Sequence, residues 1–229
     1  MKKIFILVII LIVISVGGFF YLTRPVIAPS DDEILNDDSF TNVATSAKVV
    51  TYQISSTASQ VEFKVGEILR GNKEVAIGTT SIVSGQFRLV EENNIRSLEL
   101  GTIRINARTF QTDSDKRDSM IARFILQSEK TENEFIVFEP RDVIGLSDNL
   151  NLETEYNFRV LGNLTIAGVT KEAWFDVVAT FSGDKILANA STTVLRSDFN
   201  LSIPHVESVA SVDEEVSINT SIVANKISN

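Results

Sequence analysis

The stretch that decides the fold is LGNLTIAGVTKEAWFDVVATF, residues 161–181, in which apolar and polar residues alternate on both sides of the centre. The first run begins just before this stretch and places these residues on one face: Tyr156, Phe158, Val160, Gly162, Leu164 and Ile166. The second run places these residues on one face: Ala173, Phe175, Val177, Ala179 and Phe181. Two period-two runs joined by residues 167–170, which include a glycine, predict a β-hairpin with one apolar face.

Further strands are predicted on both sides of this hairpin. Alternating segments precede it at 50–54, 61–65, 75–77, 82–89 and 98–105, and follow it at 186–195 and 216–224; residues 134–143 also read as a strand. A change of parity at Gly101 and Thr102 predicts a β-bulge or bend. About eight or more long antiparallel strands without a βαβ rhythm predict an all-β, lipocalin-like extended barrel, because closure removes exposed edges. A two-sheet sandwich is the structural alternative.

One short helix is predicted outside the N-terminal region. Asp113 and Ser114 can cap it, and Met120, Ile121, Phe124 and Ile125 then recur at helical spacing. The acidic residues of the first turn suit the positive end of the helix dipole.

The N-terminal residues predict a membrane segment. Residues 4–22 are uncharged and apolar, and a helix of about 19 residues spans roughly 28 Å, close to the hydrocarbon core of a bilayer. Lys2 and Lys3 precede this run, so we expect a single-pass helix over 1–23 that leaves the rest of the chain outside the cytoplasm. A cleaved signal peptide is the alternative. Residues 24–48, with two prolines and five acids, predict a linker, and the folded domain is expected over 49–229.

Composition excludes several classes of function. The formal net charge is -9, and without Lys2, Lys3 and Arg24 the remaining 18 basic and 30 acidic residues leave -12, which disfavours nucleic-acid binding. The absence of cysteine excludes disulfides, thiolate metal sites and cysteine nucleophiles. A single histidine, His205, excludes any mechanism that needs two in one chain.

The polar residues predict neither a catalytic nor a metal site. Carboxylate pairs such as Glu91-Glu92 lie in predicted turns, where solvent exposure explains them. Asp113, Asp115 and Asp118 lack the spacing of an EF-hand, so helix capping explains them better than calcium binding. His205 lies in a loop without a clustered partner and is expected to be a surface residue. We therefore expect no enzyme activity and no cofactor.

The apolar faces carry the functional prediction. The residues expected to line the inside of the barrel are Phe63, Val65, Phe87, Leu89, Leu98, Leu100, Phe124, Phe158, Val160, Phe175 and Phe181. Pattern alone favours a packed core, and the alternative is a cavity for a long apolar ligand. Burial contributes roughly 0.8 kcal/mol per methylene, so a lipid tail can bind without any polar motif.

Five motifs, in order along the chain, resemble the YceI-like lipid/polyisoprenoid-binding family. The hairpin carries G-x-L-T-I-x-G-V-T-K from Gly162 to Lys171, and Ser59-x-Val-x-Phe-x-Val precedes it. The other three are Gly78-Thr-Thr with Gly85-x-Phe, Thr112 followed by Arg117-Asp118, and Arg196-x-Asp-Phe with a D-E-V-x-I-like segment from Asp213 to Ile218 that has Glu215 as an extra residue. The resemblance covers about residues 52–226.

The resemblance implies an apolar-lined barrel that holds an isoprenoid, an isoprenoid quinone or another lipid outside the cytoplasmic membrane. It also implies that Arg117 and Asp118 lie near the barrel mouth, in a structural ion pair. This chain lacks the histidines that many members carry along the first strand region. We expect a tethered lipid-binding domain, with a homodimer as a further expectation, and an anchored structural or protein-interaction domain as the alternative. An enzyme acting on a lipid would require a polar cluster inside the barrel.

Overall fold

The computed structural model describes residue 40, residues 47–205 and residues 209–227. In the first half of this region the strands are β1 Lys48–Ile54, β2 Gln60–Leu69, β3 Asn72–Thr80, β4 Val83–Ser84, β5 Gln86–Glu92, β6 Ile95–Leu100 and β7 Ile103–Asn106. The second half contains β8 Phe135–Ile144, β9 Glu155–Ile166, β10 Val169–Phe181, β11 Lys185–Leu195 and β12 Val209–Lys226. Helix α1, Asp115–Met120, continues as a π-helical turn, Ile121–Ile125. Short 3₁₀ turns lie at Ser56–Ala58, Ala107–Thr109, Thr131–Asn133 and Arg196–Phe199.

All twelve strands belong to one antiparallel sheet. Strands β7 to β12 pair in chain order. The long strand β12 then pairs with β2 over most of its length and with β1 near its end, so the sheet forks there. Strand β3 continues one branch, and β5 with β6 continues the other. Strand β4 follows β3 along the chain and pairs with β7, which brings the far edges of the sheet toward each other.

The sheet curls into a half-barrel whose gaps are covered by connecting segments. On the edge away from β2, strand β3 makes a single bridge, between Thr79 and Gln111, and the segment with α1 and the π-helical turn follows this bridge. Beside β6, the loop before β9 is held by a hydrogen bond from the Leu150 amide to the Arg96 carbonyl, 2.8 Å long. The predicted all-β antiparallel class with one short helix is therefore confirmed, in the form of a curled half-barrel.

The central hairpin has the predicted faces. Strands β9 and β10 pair over twelve residue pairs, from Val169 with Ile166 to Thr180 with Glu155. Their connection is the two-residue turn Ala167-Gly168, with φ values of 48° and 78°, the left-handed geometry that matches the twist of a hairpin. The predicted inward residues Phe158, Val160 and Phe175 are all buried.

The sequence predicted a bend between two strands and one short helix. The bend expected at Gly101 and Thr102 is confirmed, because β6 ends at Leu100 and β7 begins at Ile103. The helix expected after the caps at Asp113 and Ser114 forms, but its α-helical part ends at Met120, and the predicted positions Ile121, Phe124 and Ile125 lie in a π-helical turn. Ser114 caps α1 by accepting a hydrogen bond from the Arg117 amide, as predicted.

The predicted membrane segment 1–23 lies outside the described residues, as does most of the predicted linker 24–48. Within the part of the chain that the structure describes, no helix is long and apolar enough to cross a bilayer. Phe40, inside the predicted linker, packs its ring 3.9 Å from the guanidinium carbon of Arg88 on β5. Among the described residues, every strand and every member of the apolar core lies between Lys48 and Lys226.

Candidate ligand-binding cavity

The concave side of the half-barrel contains a cavity of about 900 Å³. Its wall is built from the inward faces of the strands, because alternate residues of a strand point to opposite faces. Several of these inward residues, such as Phe63, Val177 and Ala190, pack against the core but are only half-buried. The interior is therefore not filled by side chains, which distinguishes a cavity from the packed core that the sequence also allowed.

Ten of the eleven residues predicted to line the barrel do line this cavity: Phe63, Val65, Phe87, Leu98, Leu100, Phe124, Phe158, Val160, Phe175 and Phe181. Leu89 is buried at 4% exposure but is not part of the lining. It belongs to the core near β1, where it pairs with Val50. Whether any of these eleven residues contacts a ligand stays a prediction.

One end of the interior is closed by tight packing. Tyr52, Leu150 and Phe181 are each at most 2% exposed. The Tyr52 hydroxyl donates a hydrogen bond of 3.0 Å to the carbonyl of Ser182, and burial raises the pKa of this phenol. Tyr156 packs against Phe181 with the ring centroids 5.8 Å apart. This end is a floor, so a chain entering the cavity must come from the other side.

The helical segment forms part of the cavity wall and rests on buried ion pairs. Ile121, Phe124 and Ile125 contribute to the lining. Behind this apolar face, Arg108 pairs with Glu134 at 2.8 Å, and both side chains are nearly inaccessible to solvent. Arg123 pairs with Glu129 at 3.1 Å. Arg108 also donates a hydrogen bond of 2.7 Å to the Ser128 carbonyl, so the loop after the helical segment is fixed to the end of β7. Because an unpaired buried charge is costly, these pairs favour one arrangement of this region.

The open end, which we call the mouth, carries most of the charged side chains of the lining. It is formed by the end of β2, the β2–β3 turn, the start of α1, the segment 196–205 and the start of β12. Its charged or titratable residues are Glu67, Arg70, Asp113, Lys116, Arg117, Arg196 and His205.

Ion pairs fix two of the mouth arginines. The Arg117 guanidinium lies 3.0 Å from the carboxylate of Glu67 and also pairs with Asp113. Arg196 pairs with Glu214 at 2.9 Å, and hydrogen bonds from the side chain and backbone of Ser197 hold the pKa of Glu214 below its usual range. The structural ion pair expected of Arg117 and Asp118 does not join these two residues, because Arg117 pairs with Glu67 and Asp113. Asp118 instead accepts hydrogen bonds from Thr112.

Two positions in the strands require glycine, because an aromatic ring from the neighbouring strand lies over each of them. A Cβ at Gly162 would lie 2.5 Å from the Phe138 ring and 2.6 Å from the Glu139 carbonyl oxygen. A Cβ at Gly78 would lie 2.2 Å from the Phe63 ring. Both rings belong to residues of the cavity lining. These two glycines of the sequence motifs therefore leave room for aromatic side chains against the cavity wall.

The acidic residues near α1 and His205 were the polar residues considered as possible metal ligands. Among residues 40, 47–205 and 209–227, no group of three or more His, Asp or Glu side chains is placed to hold a metal ion. Asp113 pairs with Arg117, and Asp118 bonds to Thr112, which supports the capping interpretation of this acidic stretch. His205 is exposed, as expected, and it also lines the mouth.

Sequence reasoning missed two groups of lining residues. The first comprises inward residues of strands that had been recognised, such as Ile136, Phe138 and Leu164, and the parity of those strands could have identified them. The second is the polar mouth. Its residues come from separate parts of the chain, so no local sequence pattern indicates that they lie together.

Comparisons with known proteins support this description. The family model of the YceI-like domain matches residues 52–224. A search of curated proteins finds no match. The "polyisoprenoid binding domain from Saccharophagus degradans implicated in plant cell wall breakdown" is similar in fold, with a TM-score of 0.61 and 12% identity over 77% of this chain and 98% of that one. BcnA of Burkholderia cenocepacia has a TM-score of 0.57 and 16% identity over 75% of this chain and 99% of that one. Since the family model matches about three quarters of the sequence, this chain belongs to the YceI-like family.

Proposed function

We propose that this domain binds a long apolar ligand, a polyisoprenoid, an isoprenoid quinone or another lipid, inside its half-barrel without chemically changing it. The observation that carries the proposal is the apolar-lined cavity of about 900 Å³. Ligand pockets typically measure about 300–1,000 Å³, so this one falls at the upper end. A packed β-domain would not need such a space, because protein interiors are normally close-packed.

The shape of the site supports an extended chain over a compact ligand. The lining runs from Phe181 at the floor to Leu69 and Val209 at the mouth, with mainly apolar side chains between them. Ten buried methylenes contribute about 8 kcal/mol gross, part of which is offset by the loss of ligand freedom. Family membership and the polyisoprenoid-binding domain among the similar structures point to the same ligand class.

We further propose that a helix within residues 1–23 tethers the domain to a membrane, with the cavity on the extracytoplasmic side. Support comes from the sequence alone: an uncharged run over 4–22 preceded by Lys2 and Lys3. Alkaline carbonate extraction of cell membranes tests this directly. The full chain should stay in the pellet, and release into the supernatant would contradict the tether.

Native mass spectrometry of a fragment spanning residues 47–229, purified without detergent, tests the binding function. This fragment contains all twelve described strands and the whole described core. A discrete added mass that organic extraction identifies as an isoprenoid or fatty chain would support the proposal. A mass that stays at the apo value after incubation with polyprenols, isoprenoid quinones and fatty acids would favour the alternative, a structural or protein-interaction domain.

A further inference from the structure

We propose that the mouth binds the anionic head group of a long-chain lipid, a phosphate or a carboxylate, through Arg70 and Lys116. This inference rests on the proposed function, since the chain of the same lipid would occupy the cavity. It adds the chemical class of the head group, which neither the apolar lining nor the family assignment specifies.

The first observation is where the charges lie. The charged side chains that line the mouth come from four neighbouring segments, whereas the wall toward the floor is apolar. Glu62 also borders the cavity, but it lies on the opposite face of β2 from Val61 and Phe63, and its carboxylate pairs with Lys64 at 2.7 Å. An amphiphile with its chain inside would therefore place its head at the mouth.

The second observation is the balance of ion pairs at the mouth. Its two lining carboxylates, Glu67 and Asp113, both pair with Arg117. Arg196 has its own partner in Glu214. Among the described residues, Arg70 and Lys116 form no salt bridge, and both are exposed while lining the mouth. Within the part of the chain that the structure describes, two cations thus face the opening without a paired carboxylate, although the sequence carries an excess of acids.

The third observation concerns the backbone at Arg70. Arg70 and Gly71 form the two-residue turn between β2 and β3, with φ values of 51° and 84°. Such a turn favours asparagine, aspartate or glycine at its first position, because the left-handed region disfavours a large side chain. The geometry of the turn does not explain an arginine at this position, so we attribute the residue to a role of its side chain at the mouth.

These observations favour an anion over a neutral head. A hydroxyl or a carbonyl offers an exposed cation only a hydrogen bond, whereas a phosphate or carboxylate adds the attraction between opposite charges and can accept from both cations. The apolar wall beside the mouth limits water on one side and so strengthens the attraction. Because both cations remain exposed, added salt should weaken it.

The test uses the full chain in a non-ionic detergent and matched lipid pairs. Affinities are measured by native mass spectrometry for geranylgeranyl phosphate against geranylgeraniol, and for palmitate against hexadecanol. The first pair represents an isoprenoid phosphate and the second a fatty carboxylate, so the two sources of an anionic head are distinguished. The double variant Arg70→Gln/Lys116→Gln is compared with Lys73→Gln/Lys185→Gln, which removes the same charge from two exposed positions outside the lining.

We expect the wild type to bind the anionic member of at least one pair about tenfold or more tightly, given two charge-assisted contacts. The Arg70→Gln/Lys116→Gln variant should lose this preference while its affinity for the neutral lipids stays unchanged, and the control variant should keep it. Equal affinity for both members in the wild type, or a preference that survives the double substitution, would overturn the head-group site and leave the proposed function standing. If no lipid of either pair binds the wild type, both proposals fail.

Discussion

A large side chain introduced on the cavity wall should weaken lipid binding about 100-fold without unfolding the protein. Ala190 lies on β11, faces the interior and is half-buried because it borders the cavity. Replacing it with phenylalanine, Ala190→Phe, would project a ring into the space that a ligand chain needs. The neighbouring Asn189 points to the outer face and is exposed, so Asn189→Phe introduces the same ring on the other side of the sheet.

The size of the effect follows from the ligand carbons that the ring displaces. A phenyl ring takes the place of about four methylenes, and at roughly 0.8 kcal/mol each the loss is about 3 kcal/mol. This corresponds to affinity about 100-fold weaker, because 1.4 kcal/mol is a factor of about ten. The free energy of unfolding of the apo protein should not fall, since the ring fills space instead of crowding a packed core.

The assay combines a polyprenol titration followed by native mass spectrometry with urea unfolding of the ligand-free protein. Ala190→Phe should lose affinity and keep its unfolding midpoint, and Asn189→Phe should match the wild type in affinity. The reasoning would be refuted if Ala190→Phe lost about 1–3 kcal/mol of stability, the usual cost of overpacking a filled core. Unchanged polyprenol affinity in this variant would refute it equally.

Three further predictions concern stability. Gly162→Ala should lower the free energy of unfolding by about 1–3 kcal/mol in urea titrations, because the new Cβ would meet the Phe138 ring at 2.5 Å; an unchanged midpoint would contradict the close approach. Glu134→Gln should lower the free energy of unfolding by about 3 kcal/mol in the same assay, because the buried Arg108 guanidinium loses its carboxylate partner. A decrease below about 1 kcal/mol would show that the pair is not buried in solution. Burial raises the pKa of Tyr52 above that in the unfolded chain, so the folded state holds this proton more tightly and stability should fall as pH rises above about 10. In Tyr52→Phe the free energy of unfolding should change less with pH above about 10. If it falls as steeply as in the wild type, other groups cause the decline.

The faces of the long strands could be predicted from the sequence where period-two patterning survives, but the pattern was wrong for β3, in which Val75 and Ile77 are exposed and Ala76 lines the cavity. In β9 and β10 the structure buries most of the residues predicted to face inward, for example Phe158, Leu164 and Phe181. The parity change at Gly101 likewise marked the break between β6 and β7. Such local signals depend only on neighbouring residues, which is why they can be read without the fold.

The cavity and the mouth could not be predicted in the same way. An alanine that borders a cavity, such as Ala190, has the same pattern as one in a packed core, since both require only an apolar residue on the inner face. The mouth joins Glu67, Lys116 and Arg196 across more than a hundred residues of chain. The pairing of β12 with β2 brings the segment of Arg196 to Glu67, and the bridge between β3 and Gln111 brings the start of α1 there. Likewise, the gap that α1 and the π-helical turn cover follows from how the sheet forks at β12.

The central claim is that a long apolar ligand lies inside the half-barrel, and a crystal structure of residues 47–229 with a polyprenol brominated at its far end tests it most directly. Continuous density for the chain should run from the mouth toward the floor, with carbons within about 4 Å of Phe158, Val160 and Phe175. The anomalous signal of bromine should lie near Phe181. A ligand bound only on the outer face, or an interior filled by rearranged side chains at saturating polyprenol, would contradict the account.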